Sequence, residues 1–257
     1  MAITAKTVTS RVPTPKARQS AQHALDDGVS SLVRADDDHV AVAVDDLTAS
    51  QSAGYNDEND QFVTASIVKV DILATLLYQD QGSDQLLSDY EQDLATTMIE
   101  NSDDDSASAL YGIDGGAEEI SEANDSFGLR DTVVGTSGYW GLTTTTAADQ
   151  IRLLRQVFTS SSVLSPASRD YIQSLMSQVE SDQQWGVPAA ADAGTRFMVK
   201  NGWLPNPDLW EINSIGEVTH DGQRMLVAVL SDDNETENGG ISLVEDIAKK
   251  AVDAMAP

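Results

Sequence analysis

Residues 196–232 read "RFMVKNGWLPNPDLWEINSIGEVTHDGQRMLVAVLSD", and the change of period inside them decides the fold. Three stretches alternate or run apolar at strand length: "RFMVKNGW" (196–203), "LWEINSIGEV" (209–218) and "RMLVAVLSD" (224–232). "HDGQ" (220–223) supplies the tight turn between the last two. Far upstream, "HVAVAVDDL" (39–47) has the same strand character, and "SAGYNDENDQF" (52–62) reads as a polar turn between strands. From Ser66 to about residue 190 nearly every signal is helical.

Residues 15–34 predict a first helix, behind a loose tail at 1–14, with Pro13 and Pro15 at the junction. A second begins near Ser66 and runs to about Tyr78, with Leu73, Leu76 and Leu77 on its inner face. "SDYE" (88–91) is a capping box, and Tyr90, Leu94 and Met98 follow at helical spacing. "TAAD" (146–149) opens a helix with Ile151, Leu154 and Phe158 on one side. "SPAS" (165–168) puts Ser165 at an N-cap and Pro166 at the first helical position. "SLVE" (242–245) reads as a capping box for a closing helix that runs almost to Pro257. Strands from both chain ends, joined in one sheet, leave the helical middle as an insertion. The expected division is a tail at 1–14, a sheet unit from 15–65 and 191–257, and an all-helical unit at 66–190. The seam between sheet and helices is a natural cleft.

Composition narrows the chemistry. The chain has 257 residues and no cysteine, which excludes disulfides, thiolate metal sites and a cysteine nucleophile. Forty-two acids against 15 bases give a net charge of −27, so nucleic acid is not an expected partner. The acids are scattered (Asp36 to Asp38, Asp57 to Asp60, Asp103 to Asp105, Asp232 to Glu235), as on a salt-adapted surface, and no run has the spacing of a calcium loop. No apolar run reaches the roughly 18 residues of a membrane helix. The first 20 residues lack the apolar core of a signal peptide, so the chain is expected to be the mature form of an extracellular or periplasmic protein.

Three short motifs fall near the seam. "TASIVKVDIL" (64–73) places Lys69 three residues after Ser66, one helical turn on, amid apolar neighbours. A buried unpaired ammonium costs several kcal/mol, so Lys69 either reaches water or faces a polar site. Ser66 at a helix start gains from the positive end of the dipole. "NSDDD" (101–105) sets Ser102 at a break between helices, and "VKNGW" (199–203) places Lys200, Asn201 and Gly202 on a strand whose glycine permits close approach. Each motif alone is also the pattern of an ordinary cap, snorkelling lysine or bulge glycine.

In this order and on these elements, the motifs resemble those of the serine β-lactamases and penicillin-binding DD-peptidases: Ser-x-x-Lys, Ser-x-Asn and Lys-Thr/Ser-Gly. The likeness runs from about residue 20 to the C-terminus, and "TTTTAADQIRLL" (143–154) is similar to the helix start after the omega loop of class A enzymes. It implies an α+β fold in which a five-stranded antiparallel sheet carries an all-helical insertion. It further implies a monomer with no cofactor and no metal, acting on a β-lactam or a peptidoglycan-like peptide. Ser66 would be the nucleophile, Lys69 the partner that accepts its proton or orders the network that does, and Ser102 the shuttle to the leaving nitrogen. Lys200 would attract the substrate carboxylate, with Asp104, Asn201, Gly202 and Trp203 along the substrate. The backbone N–H groups of Ser66 and Trp203 would form the oxyanion hole.

Three departures qualify the resemblance. Asp104 stands where the family has an amide donor, and its charge is expected to raise the Lys69 pKa. Asn201 replaces the hydroxyl residue after Lys200. Between Glu122 and Glu180 there is no glutamate to activate a deacylating water, and the segment "GLRDTVVGTSGYWGL" (128–142) is short. Weak turnover, permanent acylation, DD-peptidase or esterase action and a catalytically dead relative all remain open at this point.

Overall fold

A computed structural model describes residues 14–33, 39–82 and 87–256. The tail at 1–13 and the acidic run Asp36 to Asp38 lie outside the described residues, as does Pro257. In chain order the elements are α1 (Pro15–Ser30), β1 (His39–Asp46), β2 (Gln51–Tyr55), β3 (Phe62–Val63), α2 (Val68–Asp80), α3 (Asp89–Glu100), α4 (Asp104–Ile113) and α5 (Ala117–Phe127). There follow β4 (Thr144–Thr145), α6 (Ala147–Phe158), α7 (Pro166–Met176), β5 (Met198–Asn206), β6 (Leu209–His220), β7 (Gln223–Asn234) and α8 (Glu237–Ala254).

Five strands form one antiparallel sheet in the order β2-β1-β7-β6-β5, so strands from the first and last thirds of the chain join, as expected, at the β1–β7 pair. Side chains alternate along each strand and serve two cores. On β7, Leu226, Ala228 and Leu230 pack toward the helical block, whereas Met225, Val227 and Val229 pack toward α1 and α8. Both faces are covered, which is why these strands read as continuous apolar runs. In the helical block, every residue of α2 from Val68 to Leu77 is buried, Lys69, Asp71 and Thr75 included. A helix apolar all round belongs at the centre of its layer.

Most caps stand where the residues put them. Ser88 and Glu91 form a reciprocal box, Thr146 accepts from the Asp149 N–H, and Ser165 caps α7 ahead of Pro166. Three expectations need correction. The stretch 52–62 is not all turn: Gln51–Tyr55 is an edge strand paired with β1, from Val42–Tyr55 to Asp46–Gln51. α8 does not start at "SLVE"; Thr236 caps it six residues earlier by accepting from the Gly239 N–H, and the Ser242 hydroxyl donates to the Asn238 carbonyl inside the helix. Tyr90 is exposed, so the inner face of α3 rests on Leu94, Ala95 and Met98. In addition, Val187 and Ala190 pack in the core shared with α1 and α8, so the segment before residue 190 leaves the helical block earlier than expected.

Candidate active site

Ser66 lies in a single 3-10 turn, Ala65–Ile67, that leads into α2. Ala65 before it has φ +46°, a left-handed conformation costly for a residue with a side chain. The turn is held from two directions. Asn213 on β6 donates its amide N–H groups to the carbonyls of Val63 (2.9 Å) and Thr64 (3.2 Å). Gly202 on the edge strand β5 runs against the turn so closely that an added Cβ would sit 2.6 Å from Thr64 O and 2.8 Å from Ser66 N. The strand glycine thus has a steric requirement, set by the backbone of the turn.

Lys69 is completely buried, and its Nζ is ringed by acceptors. It lies 2.9 Å from Ser66 Oγ, 2.7 Å from Ser102 O, 3.2 Å from Ser102 Oγ and 2.6 Å from Asp104 Oδ1. An ammonium has three protons for these four oxygens, whereas a neutral amine has two protons and a lone pair. One hydroxyl therefore shares a proton in the charged state and can donate to nitrogen in the neutral state. Burial lowers the Lys69 pKa, and Asp104, with Asp103, opposes that shift. The Asp104–Lys69 pair forms as the sequence predicts and pulls the Lys69 pKa up as expected, but burial pulls it down further. Desolvation of a fully buried ammonium outweighs an acid whose own side chain is 76% exposed.

Ser102 stands between two amines. Lys200 reaches from β5 to within 2.9 Å of its Oγ, opposite Lys69, and also donates to the Asn201 carbonyl at 3.2 Å. Burial first, then the nearby Lys69 charge, pushes the Lys200 pKa well below that of a free lysine. Ser102 itself has φ +58°, strain that persists where surrounding structure holds it. The following Asp103 is the N-cap of α4, accepting from the Ser106 N–H at 2.7 Å.

A cleft of about 300 Å³ opens above Ser66, with Asp104, Trp140, Leu142, Trp203 and Leu204 among its walls. Of the candidate substrate contacts, Asp104 and Trp203 line it and Gly202 backs it. Asn201 does not reach it. Its side chain is fully buried, and its amide donates to the carbonyls of Gln183 (2.7 Å) and Trp185 (3.0 Å). The reason is strand periodicity: if Lys200 points to the site, its neighbour points to the other face. Two participants were not singled out from the sequence. Asn213 gives no local signal, because its contacts lie about 150 residues away. The Trp140 ring centroid stands 5.0 Å from Lys69 Nζ, and its indole N–H donates to Ser108 Oγ at 3.0 Å. It comes from the short 128–142 segment and flanks the lysine with an aromatic face.

A family profile described as the Beta-lactamase enzyme family (Beta-lactamase2) matches residues 87–255, most of the chain. "Putative lipoprotein LppW" of Mycobacterium tuberculosis is 28% identical over 172 residues, 64% of this chain and 54% of that protein. The match therefore spans about half the length of that relative; the Mycobacterium bovis protein of the same name gives the same figures. Among solved structures, a class A β-lactamase from Bacteroides cellulosilyticus superposes with a TM-score of 0.78 at 19% identity, covering 91% of this chain and 98% of the other. PBP-A gives a TM-score of 0.75 at 20% identity, over 96% and 98%. The TLA-1 extended-spectrum β-lactamase gives 0.79 at 16% identity, over 92% and 100%. At these identities the structures establish the shared class A β-lactamase fold. The profile match carries the assignment further: this chain belongs to the beta-lactamase enzyme family.

Proposed function

We propose that this protein is a serine acyl-transfer enzyme that opens β-lactams, or peptide-like amides of the same shape, by forming an ester at Ser66. The observation that supports this most is Lys69, buried with a lowered pKa and 2.9 Å from the Ser66 hydroxyl. Neutral Lys69 takes the Ser66 proton as Oγ attacks the carbonyl carbon. The backbone N–H groups of Ser66 and Trp203 receive the developing oxyanion. Ser102 passes its proton to the departing amide nitrogen and regains one from the flanking lysines, so the proton taken from Ser66 ends on the leaving group. Lys200 and Ser102 meet a substrate carboxylate.

Release from the ester is slow in this reading. Asp104 is the sole carboxylate among the cleft-lining residues, and it is engaged with Lys69. Trp140, from the segment where class A enzymes carry the water-activating glutamate, presents an indole instead. Loss of a general base costs about 10²–10⁴-fold in the step it serves. That favours a second reading on the same scaffold, a penicillin-binding protein that stays acylated. A secreted or envelope setting belongs to the same proposal, since LppW bears the name of a lipoprotein and no described helix is long and apolar enough to cross a membrane.

Intact-mass measurement after mixing with penicillin G separates these cases. A persistent adduct with little product supports the proposal with slow release. Rapid product formation without an adduct places the water-activating base elsewhere. Neither adduct nor product marks a catalytically dead relative and overturns the proposal.

A further inference from the structure

A second groove, sharing no lining residue with the Ser66 cleft, runs between β1, β2 and α6. Its main chamber is about 570 Å³ and continues past Asp45, Arg152 and Arg155 into a hollow of about 300 Å³. Three of the chain's 15 basic residues, Arg130, Arg152 and Arg155, line the main chamber. On a surface of net charge −27, solvation alone favours dispersing bases among the acids rather than grouping them.

Two of the guanidinium groups are held from behind by buried carboxylates. Arg155 donates through Nε to Asp45, and Arg152 donates through Nη1 to Asp149 Oδ1 at 2.5 Å; both acids are buried. Asp149 also accepts the backbone N–H groups of Arg130 and Asp131 and the Thr132 hydroxyl, so one carboxylate positions two of the arginines. Arg152 Nη2 further lies 3.6 Å from Glu58. Both terminal nitrogens of Arg155 stay without a protein acceptor, and so does the whole Arg130 side chain, among the described residues. Of the acids on the chamber wall, Asp45 is paired with Arg155, and Asp46 accepts the N–H groups of Thr48 and Ala49 through Oδ1 while its Oδ2 is buried without a partner among the described residues. The Arg155 fork is therefore oriented with donors to spare and the Arg130 guanidinium is uncommitted, and both suit phosphate or carboxylate oxygens. Among the described residues the Ser50 and Ser161 hydroxyls stay open on the same wall, whereas the Gln156 amide is spent on the Phe127 carbonyl and the Val163 N–H and the Thr159 hydroxyl donates to the Arg155 carbonyl.

We propose that this groove is a binding site for a small anionic sugar, its phosphate or carboxylate held by Arg130 and Arg155 and its hydroxyls met by the open Ser50 and Ser161 hydroxyls. Calorimetric titration of the full chain with glucose 6-phosphate, glucuronate and glucose tests it. At least one charged sugar binds and glucose does not; which charged sugar binds separates phosphate from carboxylate. Arg130→Gln, which breaks no side-chain contact of the fold, weakens that binding about tenfold or more. Penicillin adduct formation at Ser66 stays unchanged in the same variant. Failure of both charged sugars to bind, glucose binding as tightly as they do, or equal affinity in Arg130→Gln overturns the proposal.

Discussion

Replacing Asp104 with asparagine isolates the electrostatic part of the mechanism. Asp104 Oδ1 is 2.6 Å from Lys69 Nζ, at the mouth of the cleft with most of its surface in water. Even with bulk-water screening, two unit charges at that separation attract by about 1.6 kcal/mol. Removing the charge therefore lowers the Lys69 pKa further, and while that pKa stays above the working pH the neutral fraction of Lys69 rises. Asparagine keeps an acceptor toward Lys69 and turns an N–H into the cleft, adding a hydrogen bond worth about 0.5–1.5 kcal/mol to a substrate amide. Acylation of Ser66 is expected to speed up by about tenfold or more. Rapid-quench mass measurement of the adduct, repeated across pH, reads both effects. The rate rises, and the limb that reports Lys69 deprotonation moves to lower pH. An unchanged rate with an unmoved limb would refute the assignment of Lys69 as the base.

Gly202→Ala would drive a Cβ into Thr64 O and Ser66 N, backbone atoms that cannot swing aside. It should cost about 1–3 kcal/mol of stability and slow acylation, read by thermal melting and adduct formation; a variant equal to the parent in both would mean β5 does not brace the turn. Asp114 has both carboxylate oxygens buried without partners, and burial, with the charges of Asp71, Asp80 and Glu91, pushes its pKa up to about 9, while Asp71 is raised to about 7. The folded protein keeps these protons where the unfolded chain has released them, so stability falls as pH rises from about 4, until about 7 for Asp71 and about 9 for Asp114. In Asp114→Asn the alkaline loss shrinks by up to about 1.4 kcal/mol per pH unit, and equal slopes of urea midpoint against pH in the two proteins would count against it. Added monovalent salt should raise the melting temperature, because the screening length falls from about 10 Å at 0.1 M to about 3 Å at 1 M and weakens the repulsion between acids; a flat response would show the acids already neutralised.

What could be read without coordinates divides along contact range. β1, β5, β6 and β7 were legible because each is long, apolar and bounded by turn residues, and Ser88, Thr146 and Ser165 declare their helices through local capping chemistry. β2 was not, because Gly54 and Tyr55 run straight into Asn56 and Asp57; its strand state comes from pairing with β1. The α8 start was misplaced because Ser242 and Glu245 make a capping pattern, whereas Thr236, the residue that caps, has a glycine three positions on. In the site, Ser66 and Lys69 announce themselves by helical spacing, and Ser102 and Lys200 by order along the chain. Asn213 and Trp140 depend on tertiary approach, which no short window encodes. For Lys69 the upward pull of Asp104 is legible in the sequence, whereas the depth of burial that outweighs it is not.

The central claim is that Ser66 carries the acyl group. Peptide mapping of the penicillin-treated protein, alongside Ser66→Ala treated identically, tests it most directly. The account predicts one modified peptide, containing Ser66, and no adduct in the alanine variant while its melting curve stays that of a folded protein. An adduct that persists in folded Ser66→Ala, or maps to another peptide, would contradict it.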